Sequence, residues 1–158
     1  MLDMFLSPTL KLLFDYGFER FKSRKQVKTI RKVLSERLLR EIKLNLEIFS
    51  DLKDEEEIAI KAIDTSIIEA IFSQPIPLGL LFDNRIPDGD REDACQENQN
   101  YRNWMQTILT EADLIERVWH RLAIAKFRQS NNISKGDIKY LKQLLLLMKV
   151  CLSRTNAN

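Results

Sequence analysis

The sequence predicts an all-α protein: an antiparallel bundle of four to five helices with one long connection at about residues 74–96. The chain has four glycines and four prolines, and five of these eight residues lie between positions 75 and 89, whereas a β-rich fold needs turn residues along its whole length. Apolar residues recur at helical spacing on both sides of that connection. With 44% hydrophobic and 30% charged residues, the 158-residue chain is expected to form one globular domain, residues 1–158, with ends that fray at about 1–6 and 154–158.

Two helices are predicted before residue 50. The first begins at Ser7 and Pro8, an N-cap residue followed by a first-turn proline, and continues with aromatic residues at spacings of three and four. The second spans about 24–50. Placed at 100° per residue, its apolar side consists of Val27, Ile30, Leu34, Leu38, Ile42 and Phe49. The residues leave open whether these two helices are continuous.

The third predicted helix opens at Asp54, which can serve as its N-cap, and ends before Pro75. Its apolar seam is Ile60, Ile63, Ile67 and Ile71. In the connection that follows, the apolar part at 76–82 is expected to pack over one end of the bundle. The charged part at 83–97 is expected to be solvated.

Two further helices follow the connection. The fourth spans about 97–129, with one apolar stripe made of Tyr101, Trp104, Ile108, Ala112, Ile115, Trp119 and Leu122. The fifth begins at a capping box from Ser134 to Asp137. Its core face is Ile138, Leu141, Leu145, Met148 and Leu152. Because Leu144, Leu146, Leu147 and Val150 widen that face, this helix is predicted to be central.

Charge is separated along the chain. Residues 20–43 contain ten Lys or Arg against Glu36 and Glu41, and residues 47–69 contain eight acids against Lys53 and Lys61. The formal net charge of +2 therefore conceals a local dipole that can attract a charged partner. The candidate residues for binding an anion or a partner are Arg24, Lys25, Lys28, Arg31, Lys32 and Lys43.

Three interpretations of the basic segment compete. In the first, helices two and three form an antiparallel hairpin, so that the acidic segment neutralises the cations within the molecule. In the second, the cations bind nucleic acid phosphates, although no zinc finger, RNP or GXXG signature accompanies them. In the third, the protein lies on an anionic membrane, held by an amphipathic N-terminal helix together with the basic helix. The candidate membrane contacts are Phe5, Leu6, Leu10, Phe14 and Phe18.

The sequence offers little for catalysis or metal binding. His120 is the only histidine, and Glu116 precedes it by one turn, but the further groups of a catalytic site are missing. The acidic run at 88–93 does not match the EF-hand pattern, since its glycine is misplaced and Arg91 intrudes. Cys95 and Cys151 lack a metal-ligand spacing and are expected to be reduced thiols. No catalytic residue, metal, cofactor or small-molecule substrate is therefore predicted.

The function that the sequence favours is that of a non-catalytic cytoplasmic interaction or scaffold module. Wide apolar faces on the first, second and fifth helices indicate that its partner is a second copy or another protein. The N-terminus shows no secretory signal, and the longest uncharged run, 70–82, is too short to span a bilayer. Peripheral membrane binding and nucleic-acid binding remain the two alternatives.

Overall fold

The computed structural model of the protein describes residues 23–74, 76–96, 98–128 and 135–157. In these ranges the chain forms helices and no strand, apart from one isolated bridge between Arg85 and Thr110, which confirms the predicted all-α class. The described helices are α1 (Arg24–Asp51), α2 (Glu56–Ala62), α3 (Ser66–Phe72), α4 (Leu78–Leu81), α5 (Asp88–Cys95), α6 (Gln99–Met105), α7 (Glu111–Arg128) and α8 (Lys135–Ala157). The first predicted helix and the capping box at Ser134 fall outside the described residues.

Three long helices frame the bundle, since α8 packs on both α1 and α7. The prediction that this last helix is central is confirmed by its buried side chains, among them Ile138, Leu141, Leu145, Met148 and Leu152. Leu144 and Leu147 are buried as predicted, but Leu146 and Val150 are 41% and 42% exposed. Those two residues line an open cleft beside α5 instead, so the core face is narrower than the sequence suggested.

Helix α1 begins with a capping box. Ser23 Oγ accepts a hydrogen bond from the Gln26 backbone N–H at 3.2 Å, and Gln26 Oε1 accepts one from the Ser23 N–H at 3.3 Å. The predicted apolar side packs as expected, with five buried members, Ile30, Leu34, Leu38, Ile42 and Phe49, and one half-buried member, Val27. Burying this stripe against α8 fixes which side of α1 faces water.

The third predicted helix is divided into α2 and α3, which is a correction. The backbone at residues 63–65 leaves the helix because Asn45 of α1 bonds both the N–H and the carbonyl of Asp64, at 2.8 Å and 2.6 Å. Asp64 Oδ1 in turn accepts from the Ser66 N–H at 2.9 Å and starts α3. Asp54 does not cap α2, since Glu55 occupies the N-cap position without a side-chain bond.

The fourth predicted helix is also divided, into α6 and α7. Asp113 Oδ2 accepts hydrogen bonds from the Leu109 and Thr110 N–H groups, and Thr110 Oγ1 accepts one from the Asp113 N–H. This Thr-x-x-Asp capping box starts α7 afresh. The freed backbone at 108–112 pairs instead with 82–86, through Ile86 N–H to the Leu109 carbonyl and Ala112 N–H to the Phe82 carbonyl.

About half of the connection at 74–96 forms helices, α4 and α5. Leu81 and Phe82 are fully buried, as the apolar part was predicted to be. The charged part was predicted to be solvated throughout, but α5 packs against α6 and α8 and buries Ala94 and Cys95. Its acids are accommodated because Asp88, Glu92 and Asp93 are exposed, whereas Asp90 is mostly buried and pairs with Arg154 of α8.

Candidate interaction surface

The side of α1 that faces away from its buried stripe carries a row of exposed lysines, which we call the cationic face: Lys25, Lys28, Lys32 and Lys43. Arg24 is also exposed, but at 100° per residue it projects in line with Ile42 at the start of the helix. On the opposite side, Ile30, Leu34 and Leu38 are at most 2% exposed. At 100° per residue, Lys25, Lys32 and Lys43 project within about 20° of one another. Because α1 is one continuous helix of 28 residues, it holds these charges on a rod about 42 Å long.

Arg31, the sixth predicted anion-binding residue, lies apart from this face. Its guanidinium contacts Glu111 Oε2 at 3.1 Å and Asp83 Oδ1 at 3.3 Å, and its side chain is 20% exposed. The other Glu111 oxygen accepts from Thr155 Oγ1 at 2.7 Å and from Asn84 Nδ2 at 3.3 Å. Arg31 therefore links α1 to the start of α7, and its charge is matched by carboxylates of the same molecule.

The acidic segment 47–69 does not lie over the cationic face. Glu47 and Asp51 continue further along α1, and Asp54 follows in the next turn, all three exposed. In place of the single long helix that the hairpin requires, the described residues contain two helices of seven residues each, α2 and α3, and the start of α3 bonds Glu41 on the buried side of α1. In the ranges that the structure describes, none of the lysines of the cationic face has an ion-pair partner.

Acidic residues gather instead where α1 ends. A cleft of about 480 Å³ opens there beside the start of α8. Its lining residues are Lys53, Asp54, Glu55, Glu56, Glu57, Ile58 and Ile138. The two ends of α1 therefore present opposite charge to solvent, with cations concentrated at residues 24–32 and acids from residue 47 onward.

The buried side of α1 contains a carboxyl that sequence reasoning missed. Glu41 is 6% exposed and accepts hydrogen bonds from the N–H groups of Ile67 at 2.6 Å and Ile68 at 3.3 Å, at the start of α3. Burial raises the pKa of Glu41 to about 7, against the lowering effect of those two bonds and with a smaller raising effect from nearby Asp64. The signal was its angular position, since at 100° per residue Glu41 projects between Ile30 and Leu34.

The described side chains that the sequence singled out for catalysis and redox chemistry lie in different settings. His120 and Glu116 are both exposed on α7. Cys95 and Cys151 are free and buried, and burial raises the pKa of both thiols, that of Cys151 to about 12. A thiol with a raised pKa carries little thiolate at neutral pH and is a poor nucleophile.

The acidic run at 88–93 is helical rather than a cation-binding loop. Asp88 pairs with Arg91, and Asp90 pairs with Arg154, so two of its carboxylates already have cationic partners. Among the residues described, no group of three or more His, Cys, Asp or Glu side chains is placed to hold a metal ion.

The predicted membrane contacts Phe5, Leu6, Leu10, Phe14 and Phe18 lie outside the described residues. None of the helices in the described ranges has the length and apolar character that crossing a bilayer requires.

Comparison with known proteins adds no relative to this structural description. No protein-family model, no curated protein and no solved structure matches this chain.

Proposed function

We propose that this protein is a non-catalytic interaction module and that the cationic face of α1 is the surface that contacts its partner. The observation that carries the proposal is the exposure of Lys25, Lys28, Lys32 and Lys43 on one rigid helix, uncovered by the acids that follow them. A partner that supplies carboxylates or phosphates at matching spacing gains several charge contacts from a surface that needs no rearrangement.

The contrast with Arg31 supports a binding role for these lysines. Arg31, a mostly buried cation of α1, has Glu111 and Asp83 within 3.3 Å of its guanidinium. The lysines receive no such partner among the described residues, and Lys28 and Lys32 stand one turn apart, where like charges repel. The repulsion between these two lysines destabilises the helix slightly, and a bound acidic partner would offset it.

The proposal leaves out catalysis because the reactive groups are dispersed. His120 is exposed on α7, and both thiols are buried with raised pKa values, which makes them poor nucleophiles. The acidic cleft of about 480 Å³ at the end of α1 is open to solvent and is lined mainly by carboxylates. Recognition by a charged surface requires neither a deep pocket nor a cofactor.

Retention on a heparin column tests the proposal. The wild-type chain should bind and elute with a steep dependence on salt, because each phosphate-like or sulfate contact releases counterions. Substituting Lys25, Lys28, Lys32 and Lys43 with Ser should abolish retention. A matched variant with Lys53, Lys61, Lys139 and Lys149 replaced by Ser loses the same charge from other exposed positions and should still bind. Equal loss in both variants would mean that net charge, rather than this face, governs binding.

Two further binding experiments test the alternative partners. Co-sedimentation with anionic liposomes that disappears on deletion of the first 21 residues favours the membrane-surface alternative. Retention by duplex DNA or RNA at salt concentrations that release the protein from polyglutamate favours the nucleic-acid alternative.

A further inference from the structure

The cations of α1 are divided by residue type as well as by position. At 100° per residue, its four lysines project within about 30° of one direction, the middle of the cationic face. Its four arginines project at least about 70° away from that direction. These arginines are Arg24, Arg31, Arg37 and Arg40. The cationic face is therefore built from lysine alone.

The rest of this face carries no acid. Three other residues of α1 project within about 30° of the same direction, Leu39, Leu46 and Ser50. Both leucines are half-buried and pack against the core, so part of each side chain remains open to solvent. The nearest acids on the helix, Glu36 and Glu47, project about 50° and 70° to one side. A flat partner laid on the lysines would therefore meet cations and apolar groups, with the acids at its edge.

We infer that the partner of the cationic face is the anionic surface of a lipid bilayer, with α1 lying along the membrane plane. This inference rests on the proposed function and names its partner. Along the helix axis the lysines are separated unevenly, by about 4.5, 6 and 16.5 Å. The phosphates of a nucleic acid and the carboxylates of a folded protein are fixed in place and would have to match that spacing. Anionic lipid headgroups diffuse within the bilayer, so they can collect opposite each lysine.

The straightness of the row and its lysine composition both favour a membrane over a nucleic acid. Lys25 and Lys43 project in the same direction and stand about 27 Å apart along one continuous helix. A plane can contact such a row along its whole length, whereas a duplex phosphate strand winds around its axis once in about 34 Å and curves away from it. Arginine, whose planar guanidinium bonds a phosphate through two N–H groups, suits fixed phosphates better than lysine, and it is missing from this face.

Leu39 and Leu46 add a second kind of contact around Lys43, which lies within one turn of both. A lysine can keep its ammonium group among the headgroups while its aliphatic stem lies against apolar surface. Peripheral binding to membranes combines electrostatic attraction with buried apolar area in this way. Because the two leucines are only partly exposed, the lysines should supply most of the affinity.

Co-sedimentation of the full chain with lipid vesicles tests this inference. The partition coefficient for phosphatidylcholine vesicles that contain about 30% phosphatidylserine should exceed that for pure phosphatidylcholine by about 100-fold or more, since each lysine near an anionic surface contributes about a fivefold factor. Raising the salt concentration from about 50 mM to about 500 mM should release most of the bound protein, because salt screens exposed charges.

Matched variants locate the contact on the protein. Substituting all four lysines of the cationic face with Ser should reduce binding to the level seen with pure phosphatidylcholine, and each single substitution should reduce the partition coefficient about fivefold. The control with Lys53, Lys61, Lys139 and Lys149 replaced by Ser loses the same charge and should bind vesicles as wild type does. Circular dichroism of each variant verifies that it is folded.

Each outcome decides the inference. Loss of vesicle binding in the cationic-face variant alone supports it, whereas equal loss in both variants overturns it. Binding that survives in the cationic-face variant but disappears on deletion of the first 21 residues also overturns it, because another segment would then hold the membrane. Duplex DNA that removes the protein from vesicles at equal phosphate concentration overturns the membrane in favour of a nucleic acid.

The heparin experiment separates this inference from the proposed function. A chain that heparin retains through the cationic face but that does not bind vesicles overturns the membrane alone. A chain that neither heparin nor vesicles retain overturns the proposed function as well.

Discussion

Both sides of α1 carry charged residues, and the two sides differ in whether those residues have bonding partners. On the buried side, Arg31 and Glu41 each have hydrogen-bond partners on another element, Glu111 for the first and the start of α3 for the second. On the solvent side, Lys25, Lys28 and Lys32 have none among the described residues. Each of the two buried charged residues has its own partner, because burying a charge without one costs free energy. The charge left unmatched is free to bind something else.

Neighbouring residues Arg31 and Lys32 give the largest expected difference between the two sides. Arg31→Ala leaves the buried Glu111 carboxylate without its cation and should lower the free energy of unfolding by about 3 kcal/mol. Lys32→Ala removes only an exposed charge and should change that free energy by no more than about 0.5 kcal/mol. Urea denaturation at constant pH measures both, and equal losses would contradict the distinction between the two sides.

The buried carboxyl of Glu41 should make stability depend on pH. Its pKa is about 7 in the folded chain against a reference of 4.5, so between these values the folded state holds a proton that the unfolded state has released. The contribution of Glu41 is therefore fully present below pH 4.5 and is lost as the pH rises through 7. At 1.36 kcal/mol per pKa unit, the loss is on the order of 3 kcal/mol.

Comparison with Glu41→Gln isolates this effect. The free energy of unfolding of the wild type minus that of the variant should fall between pH 4.5 and 7 and then level off, since all other carboxylates are common to both chains. Glu47→Gln, which alters an exposed carboxyl of the same helix, serves as the control and should retain the wild-type pH profile. A difference for Glu41→Gln that rises with pH, or stays flat, would show that the folded state does not favour the protonated carboxyl.

The sequence predicted the long helices well because their apolar residues repeat without interruption. The stripe from Ile30 to Phe49 and the face from Ile138 to Leu152 both pack as their spacing indicated. Periodicity could not reveal the breaks after Ala62 and Met105, because the seam residues Ile63 and Ile108 are buried as a continuous helix would also require. The break before α7 had a local signal, the capping box of Thr110 and Asp113, which the apolar stripe around it obscured.

The break between α2 and α3 had no local signal, because side chains of α1 cause it. Asn45 and Glu41 are about 20 residues or more away along the chain from the backbone groups that they bond. The candidate surface likewise combines residues that local spacing predicts with a cation whose partner lies far away in sequence. Helical spacing placed Lys25, Lys28, Lys32 and Lys43 on the side away from the core, and it also aligns Arg31 with Phe49 on the apolar side, a signal that was missed. Spacing could not supply the partner of Arg31, since Glu111 lies 80 residues further on. Interactions at such distances in sequence arise from the tertiary packing rather than from any local pattern.

The central claim is that the cationic face of α1 is where a partner binds, and lysine acetylation followed by mass spectrometry tests it most directly. In dilute protein, Lys25, Lys28, Lys32 and Lys43 should react readily, as should the exposed controls Lys61, Lys139 and Lys149. Adding heparin should slow acetylation of the first four several-fold and leave the three controls unchanged. Protection of all seven to the same extent, or of the controls alone, would contradict the claim.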